Sequence, residues 1–269
     1  VIVLQQDDER FRGVAQLLGE SRFGRLRRAR FMIVGIGGVG SWVAEGLARS
    51  GAGAVALWDL DDICLNNTNR QIHTTTQTIG RLKVGAMRER ILDIHPQCDV
   101  SVLEDFYTTQ TSAALTAWAA DGLRSDAPCV VVDAIDSVGN KAALVAQCLR
   151  HGLALVTCGS AGGRGRPWDL RVGTLGSSHS DPLLRDVRKR LRKEWSLAPL
   201  DYADVSAVYS TESVVAPEDQ GATTKSGARR MDCAGGMGSA VYVTASMGLF
   251  AVERAVALAV GPGATGASS

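Results

Sequence analysis

Six residues constrain this chain more than any others. Gly35-Ile36-Gly37-Gly38-Val39-Gly40 stands between an apolar run, Phe31-Met32-Ile33-Val34, and an apolar-periodic stretch opening at Ser41. A strand, a glycine turn and a helix in that order expose backbone N–H groups at a helix N-terminus, where they cradle a phosphate. Gly35 permits the tight turn, Gly37 lets the backbone approach a ligand, and Gly40 lets the helix pack closely on the strand. Gly38, next to Gly37, departs by one residue type from the dehydrogenase pattern. Which nucleotide binds is therefore decided by the rest of the chain.

Apolar runs at 31–34, 55–58, 100–103, 129–132 and 153–157 alternate with helical periodicity: Val84, Met87, Ile91 and Ile94, then Ala142, Val145 and Leu149. Continuous apolar strands separated by helices predict a parallel sheet covered on both faces. The fold class is α/β, a Rossmann-like doubly wound, mostly parallel sheet, followed by a C-terminal extension of strands and a long final helix. The expected organisation is an N-terminal helical arm (1–30), a nucleotide-binding core (31–160), an extension (161–260) and a disordered tail (261–269). Within the extension, strands are expected at 168–172, 205–209 and 213–215, a charged helix at 182–195, a mobile loop at 217–229 and the final helix from Gly238.

A length of 269 residues and a hydrophobic content of 45% support a sizeable core, and a net charge of +1 leaves nucleic-acid binding to local patches. Two basic runs qualify: Arg22, Arg25, Arg27, Arg28 and Arg30, and then Arg185, Arg188, Lys189, Arg190, Arg192 and Lys193. Each reads either as a solvated face or as a phosphate-contacting patch. The six cysteines form no Cys-x-x-Cys pair, which argues against a paired-ligand zinc site. They read as thiols of a reducing compartment, the cytoplasm, and the start of the chain carries no signal-peptide pattern. The stretch 237–260 is apolar, but Glu253 and Arg254 cut it short of the about twenty apolar residues that a membrane span needs. A buried helix and no membrane span are expected there.

Around the glycine turn the second strand ends in Asp59-Leu60-Asp61, where Asp59 is placed to bind a ribose hydroxyl. Asn66-Asn67-Thr68-Asn69-Arg70-Gln71 follows, and Lys83 opens the next helix. An Arg and a Lys beside a phosphate turn neutralise β- and γ-phosphate charge, which nucleotidyl transfer requires and hydride transfer does not. Asp136, in Asp133-Ala134-Ile135-Asp136-Ser137 beyond the fourth strand, is a natural Mg²⁺ ligand or a cap of the following helix. Cys233, close to Arg229 and Arg230, reads as structural or as a thiol of depressed pKa. His73 has no assigned role.

In order and spacing these segments resemble the ubiquitin-activating-enzyme superfamily, which adenylates carboxylates with ATP and Mg²⁺. The resemblance implies that Gly35, Gly37, Gly38 and Gly40 line the nucleotide and that Asp59 holds the ribose. Asp61 would lie near metal and phosphates, Asn67, Arg70 and Lys83 would grip the triphosphate, and Asp136 would ligate Mg²⁺. Arg70, Lys83 and Asp136 are the implied catalytic residues. Within that superfamily, Asn69-Arg70-Gln71-Ile72-His73, Ser160-Ala161-Gly162-Gly163, Asp181-Pro182-Leu183, Tyr209-Ser210-Thr211-Glu212 and Arg229-Arg230-Met231-Asp232-Cys233-Ala234 resemble the tRNA threonylcarbamoyladenosine dehydratases. That likeness implies a tRNA substrate bearing the modified adenosine at position 37, a threonyl carboxylate activated for ring closure, and a homodimer. Superfamily members often supply a partner arginine from near the N-terminus, and Arg12 lies in that neighbourhood, out of the usual register. Sulfur-transfer partner proteins are left open. The alternatives are an adenylating enzyme for a ubiquitin-like sulfur carrier, a nicotinamide dehydrogenase, and a non-catalytic nucleotide-binding scaffold.

Overall fold

The computed structural model describes residues 9–214 and 237–261. Two short helices, α1 (Arg12–Leu18) and α2 (Glu20–Leu26), lead into β1 (Arg30–Val34) and the glycine turn, from which α3 (Gly40–Arg49) departs. β2 (Ala54–Trp58), α4 (Lys83–Ile94), β3 (Asp99–Leu103), α5 (Ala113–Arg124), β4 (Cys129–Asp133), α6 (Val138–Arg150) and β5 (Ala154–Cys158) complete the alternation. Then come β6 (Leu170–Thr174), α7 (Pro182–Glu194), β7 (Ser206–Ser210) and α8 (Val241–Val260).

All seven strands form one sheet in the order β3-β2-β1-β4-β5-β7-β6, parallel except for β6 against β7. Side chains alternate across it as a pleated strand dictates. Phe31 and Ile33 of β1 face a layer built on α3, α4 and α8, whereas Met32 and Val34 face α5, α6 and α7. Burying both faces accounts for the near-continuous apolar strands. The strand order reverses between β1 and β4, so a crevice opens at their C-terminal ends, where open α/β sheets bind ligands.

The doubly wound expectation holds, and three local expectations need correction. Pro167–Asp169 winds a 3₁₀ turn, so β6 begins at Leu170 rather than 168. Residues 213 and 214 form no strand, because the chain leaves the sheet after Ser210, and the Glu212 carboxylate then accepts the N–H groups of Gly165 and Arg166. The final helix starts at Val241. The stretch 217–229 and the tail beyond 261 lie outside the described residues. Sequence patterning also missed α5, whose alanine-rich turns give no clean apolar stripe.

By length and mean hydropathy (1.6), α8 is apolar enough to cross a membrane, so Glu253 and Arg254 do not break it as expected. Its packing makes it a core helix. Gly46 on α3 and Gly248 on α8 let the two helices meet closely: a Cβ on Gly248 would stand 2.8 Å from Trp42 Cβ, and one on Gly46 2.7 Å from Val252 Cγ2. That contact brings the N-terminus of α8 to the mouth of the crevice.

Candidate active site

The glycine turn is the floor of the crevice. Gly35 has φ +90°, a backbone region that L side chains avoid. A Cβ there would come 2.9 Å from the Ala134 carbonyl oxygen, and one on Gly40 would strike the Gly35 carbonyl oxygen. Beyond the turn, the N–H groups of Gly37, Gly38, Val39 and Gly40 donate to no described residue, and no side chain caps α3. Four free N–H groups at the positive end of a helix form an anion site. A Cβ on Gly37 would meet nothing within 4 Å, so the cradle is open.

Asp59 fastens this turn to the second strand. Its Oδ2 accepts the Ile36 N–H at 2.6 Å and its Oδ1 accepts that of Asp61 at 2.9 Å. Burial pushes the Asp59 carboxyl above its ordinary value, opposed by Lys83 and by these two N–H groups. Each carboxylate oxygen has a second lone pair, which leaves room for a ribose hydroxyl. Next to it, an Asp62–Leu82 bridge and the Lys83 N–H to Asp61 O bond (3.0 Å) lock the start of α4 onto the end of β2. Lys83 therefore sits in the first turn of α4, where the helix dipole disfavours a cation. Asp61 Oδ2, 2.6 Å from Lys83 Nζ, compensates it.

Arg70 lies across the turn: its Cγ and Cδ stand 3.3 and 3.4 Å from where a Cβ on Gly38 would be. Its Nη1 donates to Asn66 O and to Asn69 Oδ1, which leaves further guanidinium donors for a ligand. The Arg70 carbonyl accepts from Trp42 Nε1 (3.0 Å) and Thr244 Oγ1 (3.4 Å), and Asn69 Nδ2 donates to Ser239 O (2.9 Å). These holders escaped sequence reasoning, because no local pattern marks contacts that span 28 positions for Trp42 and 170 or more for Ser239 and Thr244. Asn67 is buried in a turn, its Oδ1 accepting from Cys64 N–H and its Nδ2 donating to Asn66 Oδ1. Asp136 is exposed beyond β4. It does not cap α6, whose N-cap is Ser137.

The crevice thus brings together the glycine turn, Asp59, Asp61, Lys83 and Arg70, with Asp136 on the neighbouring strand exit. Arg12 pairs with Glu9 at 3.2 Å on the exposed first helix. Cys233 lies outside the described residues. Residues 11–266 match the ThiF family. The chain belongs to the ThiF family. It is 41% identical over 263 residues to tRNA threonylcarbamoyladenosine dehydratase of Escherichia coli K12, covering 95% of each chain. It is 39% identical over 252 residues to the protein of that name from Haemophilus influenzae, covering 93% of this chain and 92% of the other. The crystal structure of the E. coli dehydratase in complex with ATP superposes with a TM-score of 0.80 at 39% identity, covering 93% of each chain.

The stretches of this ThiF-family chain at 160–163, 181–183 and 209–212 are parts of one buried network beside the crevice. Arg164 donates to the carbonyls of Ser210 (2.9 Å) and Glu212 (2.6 Å) and pairs with Asp181 at 3.3 Å. Asp181 in turn accepts the Ser160 N–H and caps α7 through Leu184 N–H. Of the cysteines, Cys98, Cys148 and Cys158 are buried, and desolvation raises all three thiols, which keeps them protonated.

His73 is buried, and its two ring nitrogens have no hydrogen-bond partner among the described residues. Burial, with Lys83 and Arg90 nearby, pushes it down to about 4 from 6.5. The unfolded chain therefore binds the extra proton as pH falls below 6.5. The native state keeps this contribution at neutral pH and loses about 3 kcal/mol of it by pH 4. His73→Gln should flatten the fall in stability between pH 6.5 and 4, measured by urea unfolding. A slope unchanged from wild type would contradict a neutral buried imidazole.

Proposed function

We propose that this chain catalyses the ATP-dependent dehydration of N6-threonylcarbamoyladenosine at tRNA position 37. The observation that carries the reading is the crevice itself. Free N–H groups at Gly37–Gly40, crossed by Arg70, share the strand exits with Asp59 and Asp136 in a chain 41% identical to a dehydratase of that name. A threonyl carboxylate is a poor electrophile until one of its oxygens becomes a leaving group. Attack of that oxygen on a phosphorus of ATP supplies one: a P–O bond to the carboxylate forms, one phosphoanhydride bond breaks, and the rest of the nucleotide chain departs. The neighbouring carbamoyl nitrogen then bonds to the carboxyl carbon, the activated oxygen departs with its phosphorus, and the nitrogen's proton is lost.

In this reading the amides of the turn and Arg70 hold the phosphates, and Asp59 holds the ribose. Lys83 is shared between Asp61 and the triphosphate, and Asn67 keeps the Asn66–Arg70 turn in shape. Mg²⁺ suits the site, because that ion keeps several waters and takes most other ligands from phosphates. Among the described residues no three His, Cys, Asp or Glu side chains cluster for a metal. In this reading the exposed Asp136 would be the one protein ligand, with phosphates and waters completing the shell. Bound there, the ion would offset phosphate charge.

Two surfaces receive partners. Tyr242, Leu249 and Phe250 form an exposed apolar stripe along α8, 55%, 50% and 39% exposed, which suits a second copy in a homodimer. On α7, Arg185 and Lys189 flank Asp186, Arg190 pairs with Glu194, and Arg188 turns inward to Leu175 O and Ser178. Arg192 and Lys193 make no ion pair among the described residues, and they are the pair assigned to the tRNA backbone.

Arg70→Ala and Lys83→Ala should each slow cyclisation by at least about 100-fold while the chain folds normally, read by nucleoside mass analysis of the tRNA. Wild-type cyclisation in either variant would remove these side chains from the triphosphate. Reversing Arg192 and Lys193 to Glu should weaken tRNA binding and flatten the dependence of log K on log salt by roughly two. An unaltered slope would return α7 to an ordinary solvated face.

A further inference from the structure

Asp133 closes β4 with its side chain fully buried, and Lys141, in the first turns of α6, reaches back to it. Lys141 Nζ lies 2.9 Å from Asp133 Oδ1, both side chains 0% exposed, and donates to the Asp133 carbonyl oxygen at 3.2 Å. Thr157 on β5 donates to Oδ2 at 2.7 Å, and the Ile135 N–H donates to Oδ1 at 3.1 Å. The exit of β4 is thereby tied to α6, to β5 and to its own loop.

The next peptide touches both halves of the crevice. The Ala134 N–H donates to Val34 O at 2.9 Å, at the last residue of β1. Its carbonyl oxygen stands 2.9 Å from where a Cβ on Gly35 would be, and its Cβ 3.3 Å from where one on Gly40 would be. Residues 134–135 form a wedge with the glycine turn on one side and Asp136 on the other. A shift of the wedge moves the anion cradle and the carboxylate relative to each other.

Neither Asp133 nor Lys141 reaches the crevice, and together they carry no net charge toward it. As a source of stability the pair has no advantage: the desolvation cost of two buried charges offsets their attraction, and an apolar pair of similar volume does as well or better. We propose that Asp133 and Lys141 are positioning residues for carboxylate activation. The pair fixes the 134–136 wedge, and through it the register between Asp136 and the free N–H groups of the glycine turn. This rests on assigning the crevice to ATP and Asp136 to its metal ion.

Two double variants test it. Asp133→Leu with Lys141→Met makes the site apolar. Asp133→Asn with Lys141→Met removes the charges but keeps the site polar: the amide oxygen still accepts the Ile135 N–H, and the amide NH2 donates to Thr157 Oγ1, which turns from donor to acceptor. Each is compared with the wild-type chain by thermal unfolding, amide hydrogen exchange over residues 35–40 and 134–136, calorimetric titration with ATP and Mg²⁺, and single-turnover cyclisation. The expected result is a variant that melts within a few degrees of wild type yet exchanges faster at both segments. It should bind ATP with Mg²⁺ about 10-fold more weakly and cyclise about 100-fold more slowly. A variant that folds and matches wild type in exchange, affinity and rate overturns the proposal. So does failure of both variants to fold, which would make the pair a structural requirement. If the wild-type chain binds no ATP with Mg²⁺, the assignment of the crevice fails and the proposal falls with it.

Discussion

The close contact between the glycine turn and the Ala134 peptide is the constraint on which the crevice depends. β1 and β4 lie side by side where the strand order reverses, and their exits must share one small volume. Gly35 and Gly40 leave out the two Cβ atoms that would collide there. Their omission lets α3 start directly above β1, with four N–H groups unpaired and aimed outward. The same omission places Asp136 one strand away from the cradle. An anion site and a candidate metal ligand thus follow from one steric condition at the switch point.

Electrostatics around that contact is arranged in two tiers. At the crevice wall, Lys83 is balanced by Asp61, so the helix start tolerates a cation that the dipole disfavours. Beneath the floor, Lys141 balances Asp133, and burial still pushes the Asp133 carboxyl above its ordinary value. The first pair is half open to solvent on the Asp61 side and is able to exchange partners with an incoming phosphate. The second is sealed. Residues of like chemistry therefore serve different ends, set by whether a ligand is able to reach them.

Much of this was legible in the sequence, for identifiable physical reasons. Strands β1, β2, β4 and β5 were readable because burial on both faces makes them continuously apolar, whereas β3, at the sheet edge, was readable from Val100, Val102 and Leu103. The turn was readable because only glycine fits it. Arg70, Lys83 and Asp59 were placed by their spacing from that turn, and they do converge. What was not legible came from contacts between distant segments. Trp42 and Thr244 hold the Arg70 carbonyl from helices far apart in the chain. Asp61 pairs with Lys83 only because a β-bridge aligns them. The stretches around Ser160, Asp181 and Glu212 stood out by resemblance alone. Their physical reason, a buried arginine joining them, needed three dimensions. Helix α8 is the buried helix expected, but not because two charges interrupt its apolar run: its hydropathy passes for a span, and only its packing on α3 separates core from bilayer.

The central claim is that the ATP crevice serves ring closure on a modified tRNA. It is tested most directly by incubating the chain with ATP, Mg²⁺ and tRNA that carries or lacks threonylcarbamoyladenosine, followed by nucleoside mass analysis. The account predicts a loss of one water from the modified nucleoside, dependent on ATP, with the unmodified tRNA unchanged. Modified nucleoside that keeps its mass in the presence of ATP and folded protein would contradict it.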